Sequence, residues 1–93
     1  MDNNQAWKAF FQQWPAGIPQ RGVLVTCFGE QIAFVGFLTS NDMLVIERQA
    51  PDTVGARKVV LPFAKIDAVK VVDPVKIQVF TAAGFQQTPA KPA

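Results

Sequence analysis

Residues 31–39, QIAFVGFLT, are apolar on both sides of an extended chain: Ile32, Phe34 and Leu38 share one face, and Ala33, Val35 and Phe37 share the other. A strand of this kind has to be covered on both faces, which excludes an ordinary surface hairpin and requires a sheet that curls around its own core or meets a second surface. Gly36 falls where a strongly curved strand needs a residue without a side chain, either to bend or to let another backbone approach. The chain has 93 residues, enough for one modest core with a high proportion of surface. With 49% apolar and only 17% charged residues, apolar side chains are left over once that core is filled, which predicts self-association.

The segments on either side fit a small, mainly β domain. Trp7, Phe10, Phe11 and Trp14 stand at i, i+3, i+4 and i+7, one helical face, with Asp2 or Asn3 as its cap and Pro15, Gly17 and Pro19 ending it. From Gly22 the period becomes two: a first strand to Phe28, a turn at Gly29-Glu30, and the second strand over 31–39. A polar turn at Ser40, Asn41 and Asp42 leads to a third strand over 43–49, and a longer connection over 50–57 to a fourth over 58–61. Residues 62–65 read as a tight or 3₁₀ turn, 66–72 as a fifth strand and 75–80 as a possible sixth beyond Pro74. A helix followed by five short strands predicts a strongly bent SH3-like or OB-like barrel over 1–81, with 82–93 as a flexible tail.

Composition narrows the chemistry. There is no His and no Tyr, so the side chain most used for proton transfer near neutral pH is missing. Cys27 is the single cysteine; it excludes an intramolecular disulfide, points to a reducing compartment, and is expected as a buried structural thiol. No zinc set, calcium loop, phosphate loop or dinucleotide fingerprint is present, so the chain is expected to be neither an enzyme nor the holder of a metal or cofactor. The start lacks the basic and apolar regions of a signal peptide and no apolar run is long enough to span a bilayer, from which we expect a cytoplasmic protein without a membrane partner. The formal charge is +2; residues 57–76 hold five basic side chains against Asp67 and Asp73, a weak local bias.

The strand order, Gly36, and the segments SNDMLVIE (40–47) and VVLPFAKIDAV (59–69) together resemble the Sm/LSm family, which includes the bacterial Sm-like RNA chaperone. The likeness covers residues 21–72. The family's first motif has a glycine in the second strand and an Asp six residues later, a spacing shared by Gly36 and Asp42, but its Met-Asn would then fall on Val45-Ile46. Aligning the third strand instead sets Leu44, Val45, Ile46 and Glu47 on the family's leucine-valine-leucine-rich strand and places Asn41 and Met43 in the base-reading loop. This register is preferred because a strand cannot slip by one residue without exposing its core face, whereas turn lengths vary. The second motif departs further: Pro62-Phe63 stands where the family has Arg-Gly, so the base-sandwiching arginine is missing, and Phe63 with Lys65 would substitute as stack and phosphate contact.

The resemblance implies a ring of roughly five to seven subunits, joined between fourth and fifth strands, with single-stranded RNA or DNA held by Ser40, Asn41, Asp42, Phe63 and Lys65. Read by themselves, these residues also have simpler roles: Asn41 and Asp42 suit a turn, Gly36 suits curvature, Phe63 suits a core, and Lys65 a solvated surface. An oligomeric protein-interaction or structural module without nucleic acid is therefore the competing class.

Overall fold

The computed structural model describes residues 3–86. Helix α1 spans Asn3–Gln12, and strands β1 (Gly22–Thr26), β2 (Gln31–Thr39), β3 (Met43–Arg48), β4 (Lys58–Pro62) and β5 (Ile66–Lys70) form one antiparallel sheet in the order β4-β3-β2-β1-β5. A 3₁₀ turn, Phe63–Lys65, joins β4 to β5, and a short helix α2, Gln78–Ala82, follows the sheet.

The connection between the two outermost strands dictates the shape. In a flat five-stranded sheet β4 and β5 would lie about 19 Å apart, and the register places the end of β4 and the start of β5 toward opposite ends of β2. The link from Pro62 to Ile66 reaches at most about 14 Å. The sheet therefore curls until its edges approach each other over the core, but β4 and β5 do not pair and the barrel stays open. A bulge helps: the register between β2 and β3 shifts between Phe34 and Gly36, leaving Val35 unpaired, and it corrects the expected faces, because beyond it Phe37, opposite Ile46, turns to the core and Leu38, opposite Val45, turns out. The expected curvature at Gly36 is thus present, but no backbone comes close to it. A methyl group built there would meet only the Glu47 carboxylate, at 3.9 Å.

Inside the curl lie Leu24, Ile32, Phe34, Leu44, Ile46, Leu61, Phe63 and Ile66, and Phe11 of α1 closes one side. The aromatic face of the helix divides its work. Phe11 is buried, while Trp7, Phe10 and Trp14 lean on the core, with the Trp14 indole N–H donating to the Ile18 carbonyl at 2.9 Å. Asn3, one of the two candidate caps, is the first residue of α1, and its side chain also reaches across the fold. Its amide donates to the carbonyls of Ala64 and Ile66, at 3.1 Å each, which fastens the helix start to the 3₁₀ turn; Asp2 lies outside the described residues.

Three other expectations are corrected. Residues 75–80 do not make a sixth strand, because Val75 and Val79 also satisfy helical spacing in so short a run; α2 turns Val79 onto Gly17, whose added Cβ would lie 2.9 Å from it. The segment after residue 81 is not wholly a tail: Ala82 belongs to α2, and the Phe85 ring packs edge-on against Phe80 and Phe10, with centroids 5.9 and 6.5 Å apart. Residues 87–93 lie outside the described residues. Cys27 is exposed, because β1 ends at Thr26 and the chain has already turned outward.

Candidate functional site

Two of the segments singled out by sequence meet at one end of the sheet, beside α1. The turn at 40–42 is closed by its own first residue: the Ser40 amide donates to the Met43 carbonyl at 2.9 Å, and the Ser40 hydroxyl accepts from the Met43 amide at 3.1 Å. The Asp42 carbonyl accepts from the Phe63 amide at 3.5 Å, which brings the 3₁₀ turn alongside. Asn41 is exposed, and its Oδ1 accepts from Nζ of Lys8 at 2.7 Å. The hydroxyl of Ser40 is thus spent on the turn, while Asn41 stands at the surface with a lysine ammonium beside it.

Phe63 and Lys65 part company. Phe63 has no exposed surface and packs toward Phe11, ring centroids 6.4 Å apart. In a three-residue turn its side chain points inward under α1, so it offers no face to a base, and the stacking role expected of it is withdrawn. Lys65 is exposed, and its ammonium lies 5.7 Å from the centroid of the Phe28 ring, within cation–π range.

Phe28 continues the alternation of the first strand in the sequence, which gives it no site signal, but β1 ends at Thr26. Phe28 sits instead on the β1–β2 turn, 82% exposed. The turn is held from below by Thr26, which is 7% exposed: its hydroxyl accepts from the amides of Phe28 and Glu30 at 3.3 and 3.2 Å, and its carbonyl accepts from Gly29 at 2.9 Å. Gly29 has φ +84°, a conformation that suits glycine. The Cys27 amide donates to the Lys65 carbonyl at 2.8 Å, locking this turn to the 3₁₀ turn. A bulky aromatic directly before Gly-Glu in a turn was the available signal. Lys8 left none, since a lysine on the polar side of a helix is commonplace.

Of the basic residues in 57–76, Lys58, Lys65 and Lys70 stand apart. Lys58 faces Glu47 at 3.7 Å, Lys70 donates to the Gln31 side chain at 3.0 Å, and Lys65 lies near the opposite end of β5 from Lys70. Arg21 forms a two-pronged pair with Asp73 at 2.6–3.2 Å, and these hydrogen bonds hold the Asp73 carboxyl below the usual carboxylate range. Asp52 is also held low, first by the Ala56 amide at 2.8 Å and then by that of Val54 at 2.9 Å, in the connection between β3 and β4.

Two apolar surfaces complete the picture. A groove of about 540 Å³ runs between α1, β5 and α2, lined by Trp7, Phe10, Val69, Val71, Phe80 and Phe85. On the outer side of the sheet Val35, Leu38 and Val60 are exposed. Among the described residues no helix is long and apolar enough to cross a membrane. Compared with family models, with curated proteins and with solved structures, the chain matches none.

Proposed function

We propose that the chain is an Sm-like protein that assembles by edge pairing into a closed homo-oligomeric ring and binds single-stranded nucleic acid, RNA rather than DNA. The observation that carries this reading is the pair of open edges, β4 and β5, on the two sides of one curled sheet. Pairing β4 of one copy with β5 of the next joins different surfaces, so it repeats in one direction, and it closes into a ring where the rotation per copy divides a full turn. Each copy then repeats Asn41 with Lys8 beside it at the β2–β3 turn, and Lys65 beside the β1–β2 turn. Repetition turns a formal charge of +2 into a multivalent cationic surface.

The competing reading is a protein-interaction module, and the exposed outer face at Val35, Leu38 and Val60 favours it. The test combines light scattering at micromolar protein with titration of labelled adenine-rich and uridine-rich oligonucleotides at several salt concentrations. A ring mass with affinity that falls steeply as salt rises is the expected result. A monomeric mass would remove the assembly. A ring that binds no oligonucleotide leaves the protein-interaction reading in its place.

A further inference from the structure

Resting on the nucleic-acid reading, we infer that Phe28 is the base-stacking platform of this protein, with Lys65 as the cation that meets the adjoining phosphate. The inference starts from a cost. An aromatic ring that is 82% exposed on a turn contributes almost nothing to the core, and the turn does not need it, since Thr26 and Gly29 already fix the backbone. What the turn does is fix the backbone from which the ring projects. The two hydrogen bonds to the buried Thr26 hydroxyl and the Cys27 amide bond to Lys65 set both Cα positions, so the backbone needs little further ordering when a ligand arrives.

Chemistry selects the ligand class. The Lys65 ammonium sits 5.7 Å from the ring centroid, and the high exposure leaves ring surface open to solvent. A flat π-system on the open surface and a negative group on the ammonium satisfy both at once. A nucleotide in a single strand presents these two at adjacent positions, because every base has a stacking face and every linkage a phosphate. In a duplex the bases are already stacked on each other and leave the platform empty. Among the described residues Lys65 takes part in no ion pair, unlike Arg21 and Lys58, so its charge is available. The platform is independent of sequence, because every base has a stacking face.

The experiment titrates fluorescein-labelled adenine-rich and uridine-rich single strands, and the corresponding duplex, into the parent chain, Phe28→Ala, Phe28→Trp and Lys65→Ala, each first checked for mass by light scattering. Phe28→Ala should weaken single-strand binding about five- to 150-fold per engaged base, and Phe28→Trp should retain it. Lys65→Ala should lower the slope of log affinity against log salt by about 0.7 for each phosphate that the lysine no longer neutralises. Single-strand affinity of Phe28→Ala equal to that of the parent overturns the assignment. So does a fall in the mass of Phe28→Ala, which would give Phe28 to the interface between copies. A parent chain that binds none of the probes overturns the nucleic-acid reading itself, a separate failure that is visible before any variant is made.

Discussion

Phe63 and Phe28 flank the same lysine region, yet one is wholly enclosed and the other stands almost free in solvent. Their alanine variants should therefore separate in urea unfolding. Phe63→Ala should cost about 3–5 kcal/mol, as for other large-to-small changes in a tight core, and Phe28→Ala should stay within about 1 kcal/mol of the parent. The glycines make a second contrast. A Cβ on Gly22 would sit 2.5 Å from the Lys70 carbonyl oxygen, which is backbone and cannot move aside, so Gly22→Ala should lose about 1–3 kcal/mol. Gly36 has an unstrained backbone and open space, so Gly36→Ala should be neutral or stabilise by about 0.4–1 kcal/mol in the same measurement. Sequence pointed to Gly36 because it interrupts a conspicuous apolar run. It gave no hint about Gly22, whose constraint arises only when β5 pairs with β1. The core role of Phe63 is the simpler of its two readings from sequence; what its neighbours do not show is the cover, because the helix above it lies far away in the chain.

Local signals were strong enough to define most elements. The strand over 31–39 has its expected limits, and the turns at 40–42 and 62–65 fall where polar residues and Pro62 place them. The errors lie where two periods fit one short stretch, as at 75–80, or where a terminal strand residue belongs to a turn, as at Cys27 and Phe28. The connection from β3 to β4 shows how a loop without apolar support is ordered. Asp52 Oδ1 accepts from the amides of Val54 and Ala56, the Asp52 carbonyl accepts from Gly55, and the Asp52 amide donates to the Ala56 carbonyl. Since the folded carboxyl titrates below its unfolded counterpart, its contribution is present above the unfolded value and is lost as pH falls through the folded one. Asp52→Ala should lower the melting temperature at neutral pH and flatten its decline on acidification relative to the parent. An unchanged acid limb would show that the turn is not coupled to folding.

For the molecule as a whole, assembly depends on which backbone groups the open edges present. Arg48 donates to the Arg57 carbonyl at 2.8 Å, and hydrogen-bonded pairs alternate along an antiparallel ladder. Val60, opposite Val45, therefore lies at a non-bonded position, where its amide faces away from β3 and toward an incoming strand. Val60→Pro removes that one donor while leaving the β3–β4 ladder intact, so light scattering should show a lower mass with an unchanged circular dichroism spectrum. Retention of the parent mass would mean that copies meet elsewhere. The clasp between Asn3 and the carbonyls of Ala64 and Ile66, across 61 and 63 positions of chain, has a consequence for synthesis. The helix leaves the ribosome well before the carbonyls that hold it and before most of the core that Phe11 closes. At roughly 5–20 residues per second, its four large aromatics wait for several seconds with nothing to cover them. Translation speed over residues 13–66 thus sets how long a nascent chain carries an uncovered aromatic stripe, and makes the unfinished polypeptide, rather than the finished fold, the form most in need of a chaperone.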